Sequence, residues 1–367
     1  MKIYLNLATV GAKVTGLGVY ALACARAVCR HYDTVVIHNE TYNAPVPASI
    51  ASPPDVALGA GLIGALKRVF FLRNVKIPLL ALSYSPTHHC AGKAKFSIIT
   101  IHDLIALRHP NQHFAQWLYF RFILPKIAKK STAIFTVSET SKLDIADAYN
   151  VPKHRIFVVP NQIDTEVFRP NNGTKEPFLL CVGGKFFHKN IHELLKNNQV
   201  WSSLYSLKIV SSSGKYRKYL QSLVNEIGLQ DKVEFHGFIS HDELVSEYQK
   251  CSAFIYPSKW EGFGIPPLEA LACGAPVIVS DIPVHREVCS DAAIYVSLGD
   301  PTSWKQAFAA LGDPALTAQL QLSAQDRIRE FSQAQFERKL ITAFESVASE
   351  HKFVLQKKRA GEKELNV

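Results

Sequence analysis

The chain has 367 residues, of which 47% are hydrophobic and 20% charged, a composition typical of a globular protein with room for two domains and not of a disordered chain. Its seven cysteines include no C-x-x-C pair and lie mostly in apolar runs, which argues against a cysteine metal site and fits a reducing compartment. The N-terminal segment MKIYLNLATVG is too short and too polar for a signal peptide, and no apolar run reaches about 18 residues, so we expect a cytoplasmic protein without a transmembrane helix.

Positive charge is concentrated in the first half of the chain. Residues 1–165 contain 18 Lys and Arg against 8 Asp and Glu, whereas residues 166–367 contain 23 of each. The whole net charge of +10 therefore lies in the first half. Such an asymmetry predicts contact with an anionic surface, for which anionic lipid, a lipid-linked diphosphate and nucleic acid are candidates. A soluble domain that is simply basic would give the same count.

Strands alternate with helices in both halves, which predicts two Rossmann-like α/β domains. Short β-rich runs occur at residues 2–7, 34–38, 95–101, 133–137, 156–159, 178–182, 207–211, 233–235, 252–257 and 276–280. Residues 41–60 have no clear pattern and are predicted to be a loop. We place the boundary between 165 and 177, with Asn171-Asn172-Gly173 as linker. The predicted domains are residues 1–165 and 166–350, followed by a charged, frayed tail at 351–367.

Two features of the first half lie where parallel sheets bind ligands. Gly16 and Gly18 follow the first strand and precede a helix; such glycines let a backbone approach a ligand closely, although many such turns only connect elements. His102 and Asp103 come directly after the strand at 95–101, and open α/β sheets bind ligands beyond the C-terminal ends of their strands. A structural role remains open for His102, and Asp103 can either orient it or cap the next turn.

Two segments of the first half combine large apolar and basic side chains. They are residues 62–73 and residues 114–130, the latter reading FAQWLYFRFILPKIAKK. Aromatic and basic residues on one helix suit a membrane interface. A helix packed on the sheet with a solvated basic face is an equally good interpretation of each. Pro125 predicts a kink or break in the second segment.

The most informative stretch is residues 251–293. A buried strand at 252–257 leads into a loop with two glycines at 258–264, a helix opened by two prolines, and a second strand at 276–280. Proline is favourable in the first turn of a helix. A glycine-bearing turn at a helix N-terminus suits phosphate, because it offers backbone N–H groups and the positive end of the helix dipole.

Two glutamates of this stretch, Glu261 and Glu269, are candidates for binding. Glu269 falls on an otherwise apolar helix and needs a polar partner if it is buried. A ribose diol is a suitable partner for a carboxylate near a bound nucleotide. Taken singly, Glu261 also suits a loop cap and Glu269 an exposed position. The loop, the prolines and the spacing together favour the functional interpretation.

The segment WEGFGIPPLEALACGAPVI resembles the donor site of retaining, nucleotide-sugar-dependent glycosyltransferases of family 4. The resemblance extends over roughly residues 1–350 and includes T-I-H-D-L at 100–104 and P-N-Q-I-D at 160–164, where the family has P-N-G-V-D. It implies the GT-B fold, an α/β architecture of two Rossmann-like domains facing each other across a cleft. It also implies that the last helix crosses back to the N-terminal domain.

The resemblance implies roles for particular residues of the second domain. Glu261 would lie beside the donor sugar, and Glu269 would hold the nucleotide ribose. The backbone at Gly262, Phe263 and Gly264 would face the sugar and the diphosphate. The neighbouring residue of that donor-binding segment is Ile265.

Cations and first-domain residues are carried over in the same way. Lys189, with Lys185 as a second cation, would neutralise the diphosphate; His188 stands where the family has an arginine. His102 would reach the donor sugar and, with Glu261, complete the predicted catalytic residues. Gly16 and Gly18 would form a glycine turn facing acceptor and donor phosphate.

The reaction implied by the resemblance is retaining transfer of a hexosyl group from a nucleotide diphosphate sugar to an acceptor hydroxyl. The wording I-P-P-L-E-A and I-P-V-H-R-E-V is most like mannosyl- or rhamnosyltransferases of surface polysaccharides. GDP-mannose is therefore the favoured donor, and a lipid-linked or polysaccharide glycan the favoured acceptor. No D-x-D motif or metal-ligand spacing occurs, so we expect no metal and no other cofactor.

Other functions stay open at this point. Rhamnosyl or glucosyl transfer would use the same fold, and a non-catalytic Rossmann-type module would bind a nucleotide or nucleic acid. The sequence lacks the G-x-G-x-x-G motif that an NAD-dependent enzyme carries after its first strand. The sequence also shows neither a helix-turn-helix nor an aromatic RNA-binding signature, so we expect no nucleic-acid partner. Contact with the inner face of an anionic membrane remains a prediction for the basic half.

Overall fold

A computed structural model describes residues 1–10, 16–39, 49–52, 61–171 and 173–358, with the backbone alone at 61–63, 65 and 66. Within these residues the chain forms two compact units. One comprises Met1–Asn161 together with Phe336–Val367, and the other is Gln162–Gln335. The chain therefore leaves the first unit between Asn161 and Gln162, earlier than the predicted boundary. Phe168, which follows this point, is buried within the second unit against Tyr248.

The first unit contains a seven-stranded sheet in the order β3-β2-β1-β4-β5-β6-β7. All neighbouring strands are parallel. The strands are β1 (Ile3–Leu7), β2 (Thr34–Asn39), β3 (Ser49–Ser52), β4 (Leu82–Ser85), β5 (Phe96–Thr100), β6 (Ala133–Thr136) and β7 (Ile156–Val158). Every residue of β4 and β6 is buried, as expected of central strands covered on both faces.

Helices pack around this sheet. They are α1 (Gly16–His31), α2 (Gly61–Asn74), α3 (Ile105–Arg108), α4 (Phe114–Phe122), α5 (Leu124–Lys130) and α6 (Glu139–Tyr149). The predicted break near Pro125 is confirmed, because α4 ends at Phe122 and α5 begins at Leu124. Pro125 thus lies in the first turn of α5, where its missing N–H costs no helical hydrogen bond.

The second unit contains a six-stranded sheet in the order β10-β9-β8-β11-β12-β13, again parallel throughout. Its strands are β8 (Glu176–Val182), β9 (Ser206–Val210), β10 (Val233–Phe235), β11 (Cys251–Tyr256), β12 (Val277–Ser280) and β13 (Ile294–Val296). Its helices are α7 (Ile191–Lys196), α8 (Gly214–Glu226), α9 (His241–Lys250), α10 (Ile265–Ala272), α11 (Pro283–Cys289), α12 (Pro301–Leu311) and α13 (Pro314–Glu330).

The core of the second unit includes Trp201 and Trp304, both fully buried. Each indole N–H has an acceptor: the carbonyl of Leu194 at 3.0 Å for Trp201, and Glu193 Oε1 at 3.1 Å for Trp304. Large side chains can thus be buried here without leaving a polar group unsatisfied.

The final helix, α14 (Gln333–Glu350), contributes to the first unit from Phe336 onward. Phe344 is fully buried and packs edge-on against Tyr84 and Phe135, with ring centroids 4.9 and 5.3 Å apart. The apolar stripe of the helix explains this placement, because a helix with one apolar face must bury it against another element.

Two expectations from the sequence need correction. Residues 41–60 were predicted to be a loop, yet Ser49–Ser52 is an edge strand paired with β2; residues 40–48 and 53–60 lie outside the described residues. The predicted frayed tail is ordered over its first part. The N–H of Gln356 donates to the carbonyl of Met1 at 2.9 Å, and Lys358 donates to His31 at 3.1 Å. The rest of the tail, 359–367, is not described.

Each sheet reverses its strand order once, between β1 and β4 in the first unit and between β8 and β11 in the second. Connections on the two sides of such a point leave the sheet in opposite directions and open a crevice at the C-terminal ends of the strands. This is where ligands bind in open α/β sheets. The loops that follow these four strands are therefore the first places to look for a site.

Candidate active site

Lys189 and Glu261 meet beyond the switch point of the second unit. Lys189 follows β8 and Glu261 follows β11, the two adjacent central strands. The Lys189 ammonium lies 2.7 Å from Glu261 Oε1 and also donates to the Tyr256 hydroxyl at 2.6 Å. The side chains of Lys189 and Glu261 are only 16% and 11% exposed. The structure thus brings together two of the predicted site residues in a largely buried ion pair.

The ion pair controls the charge of both groups. Burial would raise the pKa of Glu261, but the neighbouring Lys189 and His188 outweigh it and hold this pKa below its usual value. Burial would lower the pKa of Lys189, but the Glu261 carboxylate and Tyr256 raise it. Both groups are therefore charged at neutral pH. An ion pair in low dielectric is strong enough to fix side-chain geometry.

Backbone geometry makes room for the lysine. Gly183, just after β8, has φ +95°, and a Cβ at this position would lie 3.2 Å from Lys189 Cε. A larger residue would both strain the backbone and crowd the lysine stem. Asn190 follows with φ 57°, a conformation that asparagine adopts more readily than most residues. These two residues direct the Lys189 side chain back across the end of β8.

The glycine loop ends at the start of α10. Gly264 is the residue before the helix and has φ +92°, which favours glycine. Pro266 and Pro267 occupy the first turn and carry no N–H, so the positive end of α10 offers the amide of Ile265 and those of the preceding loop. The Phe263 side chain is buried edge-on against Phe331 at 5.2 Å. This packing anchors the loop and leaves its backbone to perform any binding.

His285 supports this loop from α11. It is fully buried, and its Nδ1 lies 2.9 Å from the carbonyl oxygen of Ser280. Because a carbonyl only accepts, Nδ1 carries the proton and Nε2 is the acceptor. The edge of the ring would lie 3.5 Å from a Cβ at Gly264. The site therefore includes a histidine that the sequence patterns did not single out.

Glu269 lies on α10 in a different environment. The Tyr248 hydroxyl donates to Glu269 Oε2 at 3.0 Å. Burial raises the pKa of Glu269 to about 7, against a smaller lowering by Tyr248. The predicted need for a polar partner is thus met in the structure by a tyrosine of α9.

The remaining cation candidates lie near Lys189 in sequence. Lys185 is exposed and its ammonium lies over the Phe186 ring, 5.2 Å from its centre. His188, which replaces the arginine of the family pattern, is buried and stacks on the same ring with centroids 5.5 Å apart. The structure does not join Lys185 to the Lys189–Glu261 pair, so its role as a second cation stays a prediction.

The first unit holds the other predicted residues. His102 follows β5 and is buried, with Nε2 3.2 Å from the carbonyl oxygen of Pro86 and the Tyr20 ring edge-on at 4.6 Å. Burial lowers the pKa of His102 to about 4. Its imidazole is therefore neutral at pH 7, with the proton on Nε2 and the lone pair on Nδ1.

Neighbouring polar residues have capping roles. Asp103 Oδ1 accepts the N–H of Ile105 at 2.9 Å, so it caps the turn that leads into α3, one of its two predicted roles. Ser138 caps α6 by accepting the N–H of Ser141 at 3.0 Å. Gly16 begins α1 and Gly18 is buried in its first turn; the segment 11–15 that joins them to β1 is outside the described residues.

Two features are absent from the part of the chain that the structure describes. No helix there has both the length and the apolar character needed to cross a membrane. No group of three or more His, Cys, Asp or Glu side chains there is arranged to hold a metal ion.

Two family models match this chain. The model described as Glycosyltransferase Family 4 matches residues 14–167, and the one described as Glycosyl transferases group 1 matches residues 162–324. Both halves of the chain are thus similar to glycosyltransferases, and the second match includes Lys189, Glu261 and Glu269.

Curated relatives include two O-antigen chain mannosyltransferases. The O-antigen chain mannosyltransferase RfbU of Salmonella typhimurium is 43% identical over 221 residues, which are 60% of this chain and 62% of RfbU. The match thus spans less than two thirds of that relative. O-antigen chain mannosyltransferase B of Escherichia coli is 23% identical over 336 residues, 82% of this chain and 87% of that protein.

Solved structures share the fold. Sucrose-phosphate synthase from Thermosynechococcus elongatus has a TM-score of 0.73 at 16% identity, covering 95% of this chain and 99% of that one. HepE of Anabaena, solved with UDP and glucose, has a TM-score of 0.69 at 16% identity, covering 94% and 100%. At such low identity the likeness concerns the fold alone.

Proposed function

This chain belongs to the family 4 glycosyltransferases and has their GT-B fold of two Rossmann-like domains, and from that premise we propose that it transfers a mannosyl group from GDP-mannose. The acceptor is a hydroxyl of a lipid-linked or polysaccharide glycan. The similarity to RfbU and to mannosyltransferase B, whose names give mannosyl transfer in O-antigen synthesis, supports this donor and this class of acceptor.

The observation that carries the proposal is the buried ion pair of Lys189 and Glu261 beside the loop that leads into α10, the helix that carries Glu269. In the proposed complex the Lys189 ammonium and the positive end of α10 neutralise the diphosphate as it leaves. The Glu269 carboxylate accepts hydrogen bonds from the ribose hydroxyls, and Glu261 lies against the donor sugar. A diphosphate is a poor leaving group until its growing negative charge is balanced. Groups that balance this charge therefore lower the free-energy barrier to cleavage of the bond between sugar and phosphate.

We propose that the sugar keeps its anomeric configuration. The bond from the anomeric carbon to the phosphate oxygen breaks, the acceptor oxygen bonds to the same face, and the acceptor proton passes to the departing phosphate. Glu261 is paired to Lys189 and is assigned to stabilising positive charge on the sugar, not to a covalent intermediate. Product configuration by NMR tests this proposal, since an inverted product contradicts it.

Metal independence is part of the proposal, and the fixed cation Lys189 supports it. A lysine placed at the diphosphate supplies charge that other transferases take from a divalent ion. Activity is expected to be unchanged by EDTA. Loss of turnover in EDTA with recovery on adding Mg²⁺ or Mn²⁺ would show that Lys189 is not sufficient.

The donor assignment is tested by a panel of nucleotide sugars. We expect GDP-mannose to give slow hydrolysis without acceptor and to raise the melting temperature, because a ligand at about 100 times its Kd adds about 2.7 kcal/mol of stability. UDP-glucose and dTDP-rhamnose are the comparison donors. A stronger response to either one overturns the mannosyl assignment and keeps the transferase, whereas hydrolysis of none favours a binding module.

Peripheral membrane contact is proposed for the first unit. Among the aromatic residues of 114–130, Tyr119 and Phe120 are buried in the core, Trp117 is half-buried, and Phe114 and Phe122 are 61% and 57% exposed. Phe122 follows the basic Arg121 in the last turn of α4, and Phe70 on α2 is 72% exposed. Each Lys or Arg near an anionic bilayer contributes about 1 kcal/mol.

Vesicle sedimentation tests this contact. Vesicles with anionic lipid should bind the protein, neutral vesicles should not, and binding should fall as salt rises, since charges are screened over about 8 Å at physiological ionic strength. Phe114→Ala/Phe122→Ala should weaken binding without changing turnover of a soluble acceptor. Equal recovery from both kinds of vesicle would assign the basic half to a solvated surface.

A further inference from the structure

Tyr256 is the second acceptor of the Lys189 ammonium. It is the last residue of β11 and is 2% exposed, so its hydroxyl is held at the end of the strand. Lys189 donates to this hydroxyl at 2.6 Å and to Glu261 Oε1 at 2.7 Å. The ammonium also lies 4.8 Å from the centre of the Tyr256 ring. One buried tyrosine therefore contacts the lysine through both its hydroxyl and its ring.

The two acceptors of Lys189 respond differently when an anion approaches. Glu261 is charged and competes directly with a diphosphate for the ammonium. Tyr256 is neutral, because burial and then the Glu261 carboxylate raise its pKa well above the usual value. A neutral acceptor repels no phosphate, and it can hold the ammonium while the charged partner is exchanged.

We propose that Tyr256 is a positioning residue that keeps Lys189 aimed at the donor diphosphate while Glu261 turns to the sugar. The inference rests on the proposed function and adds a residue to it. Without the hydroxyl, Lys189 keeps its hydrogen bond to Glu261 and follows that carboxylate. Affinity for the diphosphate should then fall, while contacts to the rest of the nucleotide remain.

The ring contacts of Tyr256 allow its hydroxyl to be tested separately from its packing. Its ring packs against Phe254 and His285, with centroids 5.7 and 5.6 Å apart. Phenylalanine at 256 would keep these ring contacts and the contact between ammonium and ring. Tyr256→Phe therefore keeps the ring and removes the hydroxyl, which is hydrogen-bonded to Lys189 and to Glu261, so its effect reports on the hydroxyl.

The experiment compares GDP with GMP by calorimetry in the wild type and in Tyr256→Phe. A hydrogen bond to a charged group is worth enough that its loss should weaken GDP binding about tenfold, with GMP binding unchanged. Tyr248→Phe is the matched control, because it removes one buried tyrosine hydroxyl that contacts Glu269 instead. It should weaken GDP and GMP equally. Lys189→Met gives the full loss expected when the cation itself is absent.

The outcomes separate this inference from the proposed function. Equal weakening of GDP and GMP by Tyr256→Phe, or no weakening of either, overturns the positioning role. If Lys189→Met removes the preference for GDP while Tyr256→Phe keeps it, the diphosphate site stands and the role of Tyr256 fails. A wild-type protein that binds GDP no better than GMP contradicts the proposed diphosphate site, and the inference fails with it.

Discussion

Glu261 and Glu269 are eight positions apart, one buried just before α10 and the other half-buried on it, yet their environments give them opposite charge behaviour. Glu261 faces the ammonium of Lys189, and its pKa is held below the usual value. Glu269 accepts a hydrogen bond from the neutral hydroxyl of Tyr248, and burial raises its pKa to about 7. At neutral pH the first carboxylate is fully ionised and the second is about half protonated.

The comparison teaches that the partner of a buried carboxylate decides its protonation state. Desolvation opposes ionisation at both positions, and only a positive charge overcomes it. This division of labour suits the proposed reaction. A permanently ionised Glu261 can stabilise positive charge on the sugar, whereas Glu269 gains its full charge when ribose hydroxyls replace lost hydration. Pairs of groups with separated pKa values commonly mark acid–base and binding assignments in a site.

Breaking the ion pair is expected to have the largest effect. Lys189→Met leaves the Glu261 carboxylate buried without its ammonium, and removing one partner of a buried pair costs about 3 to 5 kcal/mol of unfolding free energy. Urea denaturation at pH 7 measures this loss. Turnover should fall as well, since the same lysine is proposed to balance the leaving diphosphate.

The double variant Lys189→Met/Glu261→Gln is the control. It removes both charges and should recover most of the unfolding free energy lost by the single variant, but none of the turnover. If the single and double variants are equally unstable, the loss comes from packing of the lysine stem, and the contrast between the two glutamates does not rest on this charge.

The second expected effect is a pH dependence of nucleotide binding. The pKa of Glu269 is about 7, so below pH 7 the free protein carries a proton there. A ribose diol binds the ionised carboxylate best, so binding at low pH must first release this proton. GDP affinity at pH 6 should therefore be about tenfold below that at pH 8.

Glu269→Gln separates this effect from titration of GDP itself. Glutamine has no charge to gain, so the slope that remains in this variant belongs to the nucleotide. We expect calorimetry to show a steeper slope in the wild type than in the variant. Parallel pH profiles would mean that Glu269 does not change its charge on binding and that the contrast with Glu261 is smaller than the structure indicates.

The sequence predicts some parts of this site better than others. Glu261 and Glu269 are found because they lie on a glycine-bearing turn and on the proline-opened helix that follows it, which are local patterns. Lys189 is found through the resemblance to family 4 glycosyltransferases. Their partners are not found: Tyr256 is 67 positions from Lys189, and Tyr248 is 21 positions from Glu269.

Both tyrosines read as ordinary apolar residues of a strand and a helix, and only the folded chain shows where their hydroxyls point. The same reasoning applies to the fold. Apolar strands such as β8 and β11 are visible in the sequence. Ser49–Ser52 is a short, partly exposed edge strand, and its residues do not show the alternation of apolar and polar side chains that predicts a strand. The formation of such a strand depends on the neighbouring strand with which it pairs, and a local sequence pattern does not identify that neighbour.

The smallest expected effect concerns Tyr248 alone. Its hydroxyl donates to Glu269, and a donor favours the ionised form, so this hydrogen bond lowers the pKa of Glu269 against the larger effect of burial. Tyr248→Phe removes the donor and keeps the ring. The pKa of Glu269 should then rise further, by about half to one pH unit for a hydrogen bond of about 1 kcal/mol.

The midpoint of the pH dependence of GDP binding should move upward by the same amount. At pH 7 this variant binds GDP a few times more weakly than the wild type, and by about pH 9 the difference should largely disappear, because Glu269 is ionised in both. Tyr256→Phe is the reference, since it should lower GDP affinity at every pH without moving the midpoint. A uniform loss of affinity in Tyr248→Phe with an unmoved midpoint would contradict the assignment. Burial alone would then set the charge of Glu269, and the tyrosine would contribute only its ring.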